Sequence, residues 1–310
     1  MSAARSKRRR FDDEGWQPSA TLHQYLVNPE STDDCADDLS GSHHDPNAYV
    51  EPSWSTYRDA AQGPSPVPSW VVTDPRAIDT DRGVMKTGKE ADVSLFDRTL
   101  DVVGVPRQHC LLAVKQYRSS EHRMFHRDAG YLEGRRVKES RENRAMATRT
   151  DYGRQLIASQ WAVAEMDVLS RLWSAGAAVP YPVQLMGTGL MMEFIGTADG
   201  VAAPRLAQLR PDRAEGRHLY HQMVEVLRQL ADIGYAHGDL SPYNVLVHEG
   251  RLVMIDMPQA LDLVGNPQGF DYLRRDCMNI CSWFEHRGVH EAQADDLYRL
   301  LIESVPGLTG

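Results

Sequence analysis

The chain has 310 residues, 42% hydrophobic and 25% charged, which suits one two-lobed domain or two smaller ones with a sizeable core. That composition excludes a wholly disordered, collagen-like or disulfide-scaffold chain. A formal charge of −9 speaks against a globally basic nucleic-acid coat, and no apolar run approaches the ~18 residues needed to span a bilayer.

At the start, Lys7-Arg8-Arg9-Arg10 leads into Phe11-Asp12-Asp13-Glu14 rather than an apolar segment, so no secretory signal is expected. From Phe11 to Leu39 there are acids but no Lys or Arg, and the stretch to residue 66 is rich in Ser, Asn and Pro. Residues 1–66 therefore read as an acidic, mostly disordered tail, with a short helix near Ala20 to Val27. The four cysteines (Cys35, Cys110, Cys277, Cys281) are scattered and fit a reducing cytoplasm, with no membrane partner.

Ordered signals begin near Trp70. Val84 to Phe96 and Leu111 to Tyr117 carry strand patterns, with a turn at Gly104-Val105-Pro106. Residues 118–154 form a polar segment with ten Arg or Lys and six acids, read as a mobile loop with some helix. Its Ser119, Ser120, Ser140, Thr148 and Thr150 are candidate self-phosphorylation targets, and its positive balance could touch RNA phosphates. Ile157, Trp161, Ala164, Val168 and Leu172 then mark one stripe of a helix ending before Gly176. A hairpin follows, Val183 to Met186 and Leu190 to Ile195, around Gly187-Thr188-Gly189. A second helix carries Leu219, Met223, Leu227, Leu230 and Ile233 and stops at Gly234; two more span Phe270 to His286 and Glu291 to Ser304. Strands in front and helices behind give an α+β pattern.

The chemistry-bearing segment runs from His237 to Asp256. After the helix ending at Gly234, an irregular loop holds Asp239 and Asn244, and two short apolar strands turn at Glu249-Gly250 before Asp256. Strands paired about 4.8 Å apart bring Asn244, at the entrance, next to Asp256, at the exit. An amide oxygen beside a carboxylate is a hard oxygen pair suited to Mg²⁺ that also binds phosphates, with Mn²⁺ as a substitute. Asp239, five residues before Asn244, can orient a hydroxyl nucleophile at the same corner. Lys115 closes the run Leu111-Leu112-Ala113-Val114; a lysine rooted in a buried strand is costly unless it meets an anion.

Asp-x-x-x-x-Asn, a hairpin and a further Asp resemble the catalytic segment of the protein-kinase-like fold. The wording His237-Gly238-Asp239-Leu240-Ser241-Pro242-Tyr243-Asn244 and Ile255-Asp256-Met257-Pro258-Gln259 resembles RIO-type atypical serine/threonine kinases, closest to the type-one branch. Thr87-Gly88-Lys89-Glu90-Ala91-Asp92 is similar to that family's nucleotide loop, with one glycine where ordinary kinases have three. The resemblance implies a two-lobed fold, with a β-rich N-lobe over 67–195 and a helical C-lobe over 196–310, short beside typical protein kinases.

By the same resemblance, Asp239 and Asp256 are catalytic, Asn244 and Asp256 bind metal, and Lys115, positioned by Glu165, holds ATP phosphates. Lys89 lies over the nucleotide, and the backbone of Glu193 and Ile195 meets the adenine edge. The implied reaction is ATP- and Mg²⁺-dependent transfer to serine or threonine hydroxyls, of the chain itself or of a protein substrate. ATP hydrolysis through a phosphorylated Asp256 is implied as well, and a ribosomal RNA partner is a further implication. An aminoglycoside-type small-molecule kinase and an ATP-switched assembly factor are the alternatives.

Overall fold

The computed structural model describes residues 52–118 and 151–308. Among the described residues, strands β1 (Ser53–Trp54), β2 (Ala61–Gln62), β3 (Ile78–Thr87), β4 (Ala91–Leu100) and β5 (Gln108–Tyr117) come first. Helix α1 (Asp151–Ser174) is followed by β6 (Pro182–Met186) and β7 (Gly189–Glu193). These seven strands form one antiparallel sheet in the order β1-β3-β4-β5-β7-β6-β2. Beyond it lie helix α2 (Arg213–Asp232), strands β8 (Tyr235–Ala236), β9 (Val245–His248), β10 (Arg251–Met254) and β11 (Leu261–Asp262), then helices α3 (Gly269–Glu285) and α4 (Ala294–Ser304). No helix among the described residues is long and apolar enough to cross a membrane.

The tail boundary expected at residue 66 is corrected. Ser53 and Trp54 pair with Asp79 and Ile78 at one edge of the sheet, and Ala61 and Gln62 pair with Leu185 and Gln184 at the other. The chain between them therefore passes from edge to edge, burying Tyr57 and Ala60 and covering strand edges that would otherwise stay unpaired. Two-residue strands leave no periodic trace in a sequence, which is why composition alone suggested a tail. Residues 1–51, with the expected helix near Ala20, lie outside the described residues.

The strand pattern expected over Val84 to Phe96 is two strands, β3 and β4, joined by a turn at Gly88. The Gly88 amide donates to the Ala91 carbonyl, and a Cβ at Gly88 would stand 2.8 Å from that same oxygen. β3 starts earlier than the expected Val84, and Asp79 is buried there as a partner. Its carboxylate takes Arg98 Nε at 2.6 Å and Nη2 at 2.8 Å from the facing position on β4. Arg98 also donates to Gln184 Oε1 at 2.9 Å, and both members of the ion pair are almost wholly buried.

Helix α1 is buried on more than the expected stripe. Ala162, Val163, Met166 and Leu169 are as enclosed as Trp161, Val168 and Leu172, because the helix packs under the sheet and into the core shared with the helical half. α2 begins with a reciprocal cap: Asp212 accepts from the amides of Ala214 and Glu215, and Glu215 reaches back to the Asp212 amide. Cys277 and Cys281 are buried on α3, where burial pushes both thiols up, Cys281 to about 11. They behave as core residues.

Candidate active site

Lys115 is paired with Val93 on β4 and Leu190 on β7, so its stem is held in the middle of the sheet. Its Nζ lies 2.9 Å from Glu165 Oε1, on α1, and 2.6 Å from Asp256 Oδ1, just past β10. Burial alone would lower the ammonium, but the Asp256 and Glu165 carboxylates outweigh it and hold its pKa above the ordinary lysine value. Burial likewise works to raise Asp256, and the Lys115 charge and hydrogen bond overcome it to leave the carboxyl well below its usual range. Glu165 is 1% exposed, and its second oxygen accepts from the Tyr117 hydroxyl.

Asp256 has φ +70°, a left-handed conformation rare outside glycine. The peptides on either side hold it there. The Ile255 amide donates to the Asn244 carbonyl at 2.9 Å, and the Met257 amide donates to Glu165 Oε1 at 2.9 Å. The β9–β10 hairpin, with Val245 opposite Met254, turns through Glu249 and Gly250, both at positive φ. Its two ends thus place Asn244 and Ile255 side by side. The Asn244 amide nitrogen is tied to the Asp239 carbonyl at 2.8 Å, which leaves its Oδ1 as the acceptor end of the side chain.

Asp239 is exposed at the tip of a loop whose backbone is fixed from below. Asp276, on α3 and 1% exposed, accepts from the amides of Gly238 at 2.8 Å and Leu240 at 3.0 Å. Arg275 donates to the Gly238 carbonyl, and Asn279 to the Leu240 carbonyl at 3.2 Å. Gly238 is required here: at φ +81°, an added Cβ would meet the Gln259 carbonyl at 2.4 Å. Burial pushes the Asp276 carboxyl up, partly offset by His237 and the two amides.

The structure therefore brings Lys115, Glu165 and Asp256 into direct contact and sets Asn244 beside the last of these. Lys89 stands exposed on the β3–β4 turn. Glu193 ends β7, its amide donating to the Tyr181 carbonyl and its carboxylate accepting from the Tyr181 amide; the Ile195 carbonyl accepts from Ala203. Ser119, Ser120, Ser140, Thr148 and Thr150 lie outside the described residues. Asp276 was missed from sequence, yet a signal existed: it falls on the apolar stripe Leu273, Cys277, Ile280 and Phe284, where an acid needs buried partners.

Comparison with known proteins decides the family. A family model describing the RIO domain matches residues 104–297. The chain belongs to the RIO family. It is 35% identical over 227 residues to the RIO-type serine/threonine-protein kinase Rio1 of Haloferax volcanii, covering 72% of this chain and 69% of that protein. To human serine/threonine-protein kinase RIO3 it is 31% identical over 238 residues, covering 74% of this chain and 43% of the relative. To yeast RIO1 the figures are 30% over 223 residues, 67% and 44%, so the chain spans less than half the length of these two eukaryotic RIO proteins. A crystal structure of the Rio2 kinase–ADP/Mg²⁺–phosphoaspartate complex from Chaetomium thermophilum aligns with TM-score 0.49 and 19% identity, covering 70% of this chain and 60% of that one.

Proposed function

We propose that this RIO-type kinase transfers the γ-phosphoryl group of Mg²⁺-ATP to a serine or threonine hydroxyl, on its own chain or on a protein. The observation that carries the reading is the Lys115 ammonium held between the buried Glu165 carboxylate and Asp256. A lysine fixed in this way presents positive charge to phosphate oxygens while its own position is fixed by an acid.

Among the described residues, no cluster of three His, Cys, Asp or Glu side chains forms an all-protein metal cage. Asn244 Oδ1 and the Asp256 carboxylate instead offer the sparse hard-oxygen set that suits Mg²⁺, whose remaining positions go to water and phosphate. Bound there, the ion would neutralise charge on the transferring phosphoryl group.

In this reading Asp239 orients the attacking hydroxyl and accepts its proton, from a loop that Asp276 immobilises. Lys115 takes the α- and β-phosphates and Glu165 positions Lys115. Lys89 lies over the nucleotide from the β3–β4 turn. With the Glu193 amide and Ile195 carbonyl already used, the Glu193 carbonyl and Ile195 amide serve the adenine edge. Asp256 is in addition a candidate acceptor: attack of its carboxylate oxygen on the γ-phosphorus breaks the bond to ADP, and water later releases phosphate and restores the acid.

The test is transfer of labelled phosphate from ATP to the wild-type chain, Lys115→Ala and Asp256→Asn, followed by mapping of the labelled residue. Label on wild type that both substitutions remove supports the reading. Neutral hydroxylamine releases the label from an acyl phosphate and leaves it on phosphoserine, which separates the two products. Equal labelling of all three proteins would refute the reading.

A further inference from the structure

Lys86 belongs to β3, two residues before the Gly88 turn, and its side chain is exposed. The β3–β4 register shifts between Val84 and Lys86, and this irregularity sets Lys86 directly opposite Val93. Val93 in turn stands opposite Lys115 on β5. Directly paired residues of an antiparallel sheet share one face. Lys86, Val93 and Lys115 therefore form a row on the face that Lys115 turns toward Asp256. With strands about 4.8 Å apart, the two lysine backbones are roughly 10 Å from each other, close enough for both ammoniums to reach one polyphosphate chain.

A second cation lies in the helical half, close to Asn244 in the chain fold. Arg205 bridges to Leu246 of β9, and its guanidinium donates to the Tyr243 carbonyl, next to Asn244. Among the described residues, neither Lys86 nor Arg205 forms an ion pair with a carboxylate. Partial burial of the ammonium and the repulsion of Arg205 hold Lys86 below the ordinary lysine value, against the pull of Asp256, and Lys115 adds further repulsion. The register of β3, β4 and β5 sets Lys86 on the face that Lys115 turns toward Asp256, over the cleft rather than on the outer face of the sheet. Mutual repulsion of these cations is relieved when an anion enters.

We infer that Lys86 is a second phosphate-holding lysine, which together with Arg205 receives the polyphosphate chain of the bound nucleotide. This rests on the ATP-dependent reading of the site. It is distinct from the role of Lys115, whose charge is already shared by two carboxylates, whereas the charge of Lys86 is uncommitted.

The experiment is a binding titration of the full chain with ATP, ADP and adenosine, comparing wild type, Lys86→Met and Lys86→Arg. Loss of one charge-assisted contact is expected to weaken ATP by about tenfold in Lys86→Met, with adenosine within about twofold of wild type and Lys86→Arg regaining most of the loss. Wild type that binds ATP together with Lys86→Met that binds it equally well would overturn the inference and leave the kinase reading standing. An equal loss for adenosine would also overturn it, by assigning Lys86 to the base pocket. A wild-type chain that binds no adenine nucleotide would remove both.

Discussion

The ammonium of Lys115 and the carboxylate of Asp256 meet at 2.6 Å, although 141 positions separate them in the chain. The strand lysine and the hairpin acid are thus paired with each other. Only one oxygen of the Asp256 carboxylate is needed for Lys115, so the acid can serve a cation by sharing itself with that ammonium.

That pair has a defined pH signature. The Asp256 pKa is depressed in the folded state, so its contribution to stability is present above the unfolded carboxylate value of about 3.9 and is lost as pH falls through the folded one. The raised Lys115 pKa contributes below the unfolded lysine value of about 10.4 and fades only as pH rises through its folded one. Urea unfolding of wild type and Asp256→Asn should therefore differ by a constant amount between about pH 5 and 9. The gap should narrow as pH falls from about 4 toward about 2, where the folded acid is protonated. A gap that widens toward pH 3 would contradict a depressed Asp256 pKa.

Glu165 is the more deeply buried partner, and removing its cation should be the more damaging change. Lys115→Met leaves Glu165 enclosed with, among the described residues, the Tyr117 hydroxyl and the Met257 amide as its partners, at a cost of about 3–5 kcal/mol. Adding Glu165→Gln to Lys115→Met should recover much of that stability without recovering activity. Thermal unfolding and a labelling assay on the same two proteins check both halves.

In the proposed reaction, Asp276 acts through the loop that carries Asp239. Asp276→Ala deprives two buried amides of their acceptor, about 1–3 kcal/mol for each. Turnover should fall by more than tenfold while ATP affinity changes little, because the nucleotide side of the cleft is untouched. A purely structural role would lower the melting temperature and leave the turnover of the folded fraction at the wild-type level.

What could be read beforehand was local. The proximity of Asp239, Asn244 and Asp256 was legible because a loop and a short hairpin connect them, and hairpin length fixes which ends meet. Lys115 was legible because a lysine closing the run Leu111 to Val114 contradicts its own strand unless an anion waits for it. The Lys115–Asp256 contact was not, since nothing within either segment encodes how sheet and hairpin face each other. The edge strands β1 and β2 escaped for another reason: two residues cannot display a period, and their pairing is dictated by the edges they cover. Asp276 needed only the observation that an acid sat among Leu273, Cys277 and Ile280.

The same principle, a polar residue out of place in an apolar pattern, governs the buried pair in the sheet. Arg98 is wholly enclosed, and its guanidinium is satisfied by both oxygens of Asp79 and by Gln184, with Tyr57 of the edge-to-edge segment 6.0 Å from it. Asp79→Leu alone leaves a buried guanidinium with Gln184 as its one remaining side-chain oxygen partner among those named, and should cost about 3–5 kcal/mol. The double substitution Asp79→Leu with Arg98→Met removes both charges and keeps the volume apolar, so it should lie close to wild type or above it in stability. The pair would then contribute register rather than strength: Asp79 faces Arg98 across β3 and β4 and Ser53 across β1, which ties the covering segment to one position. Hydrogen exchange of the β1 and β2 amides separates the two contributions. Faster exchange there in a double variant whose global stability is unchanged is the expected outcome, and unchanged exchange would show that the edge strands hold their register without the ion pair.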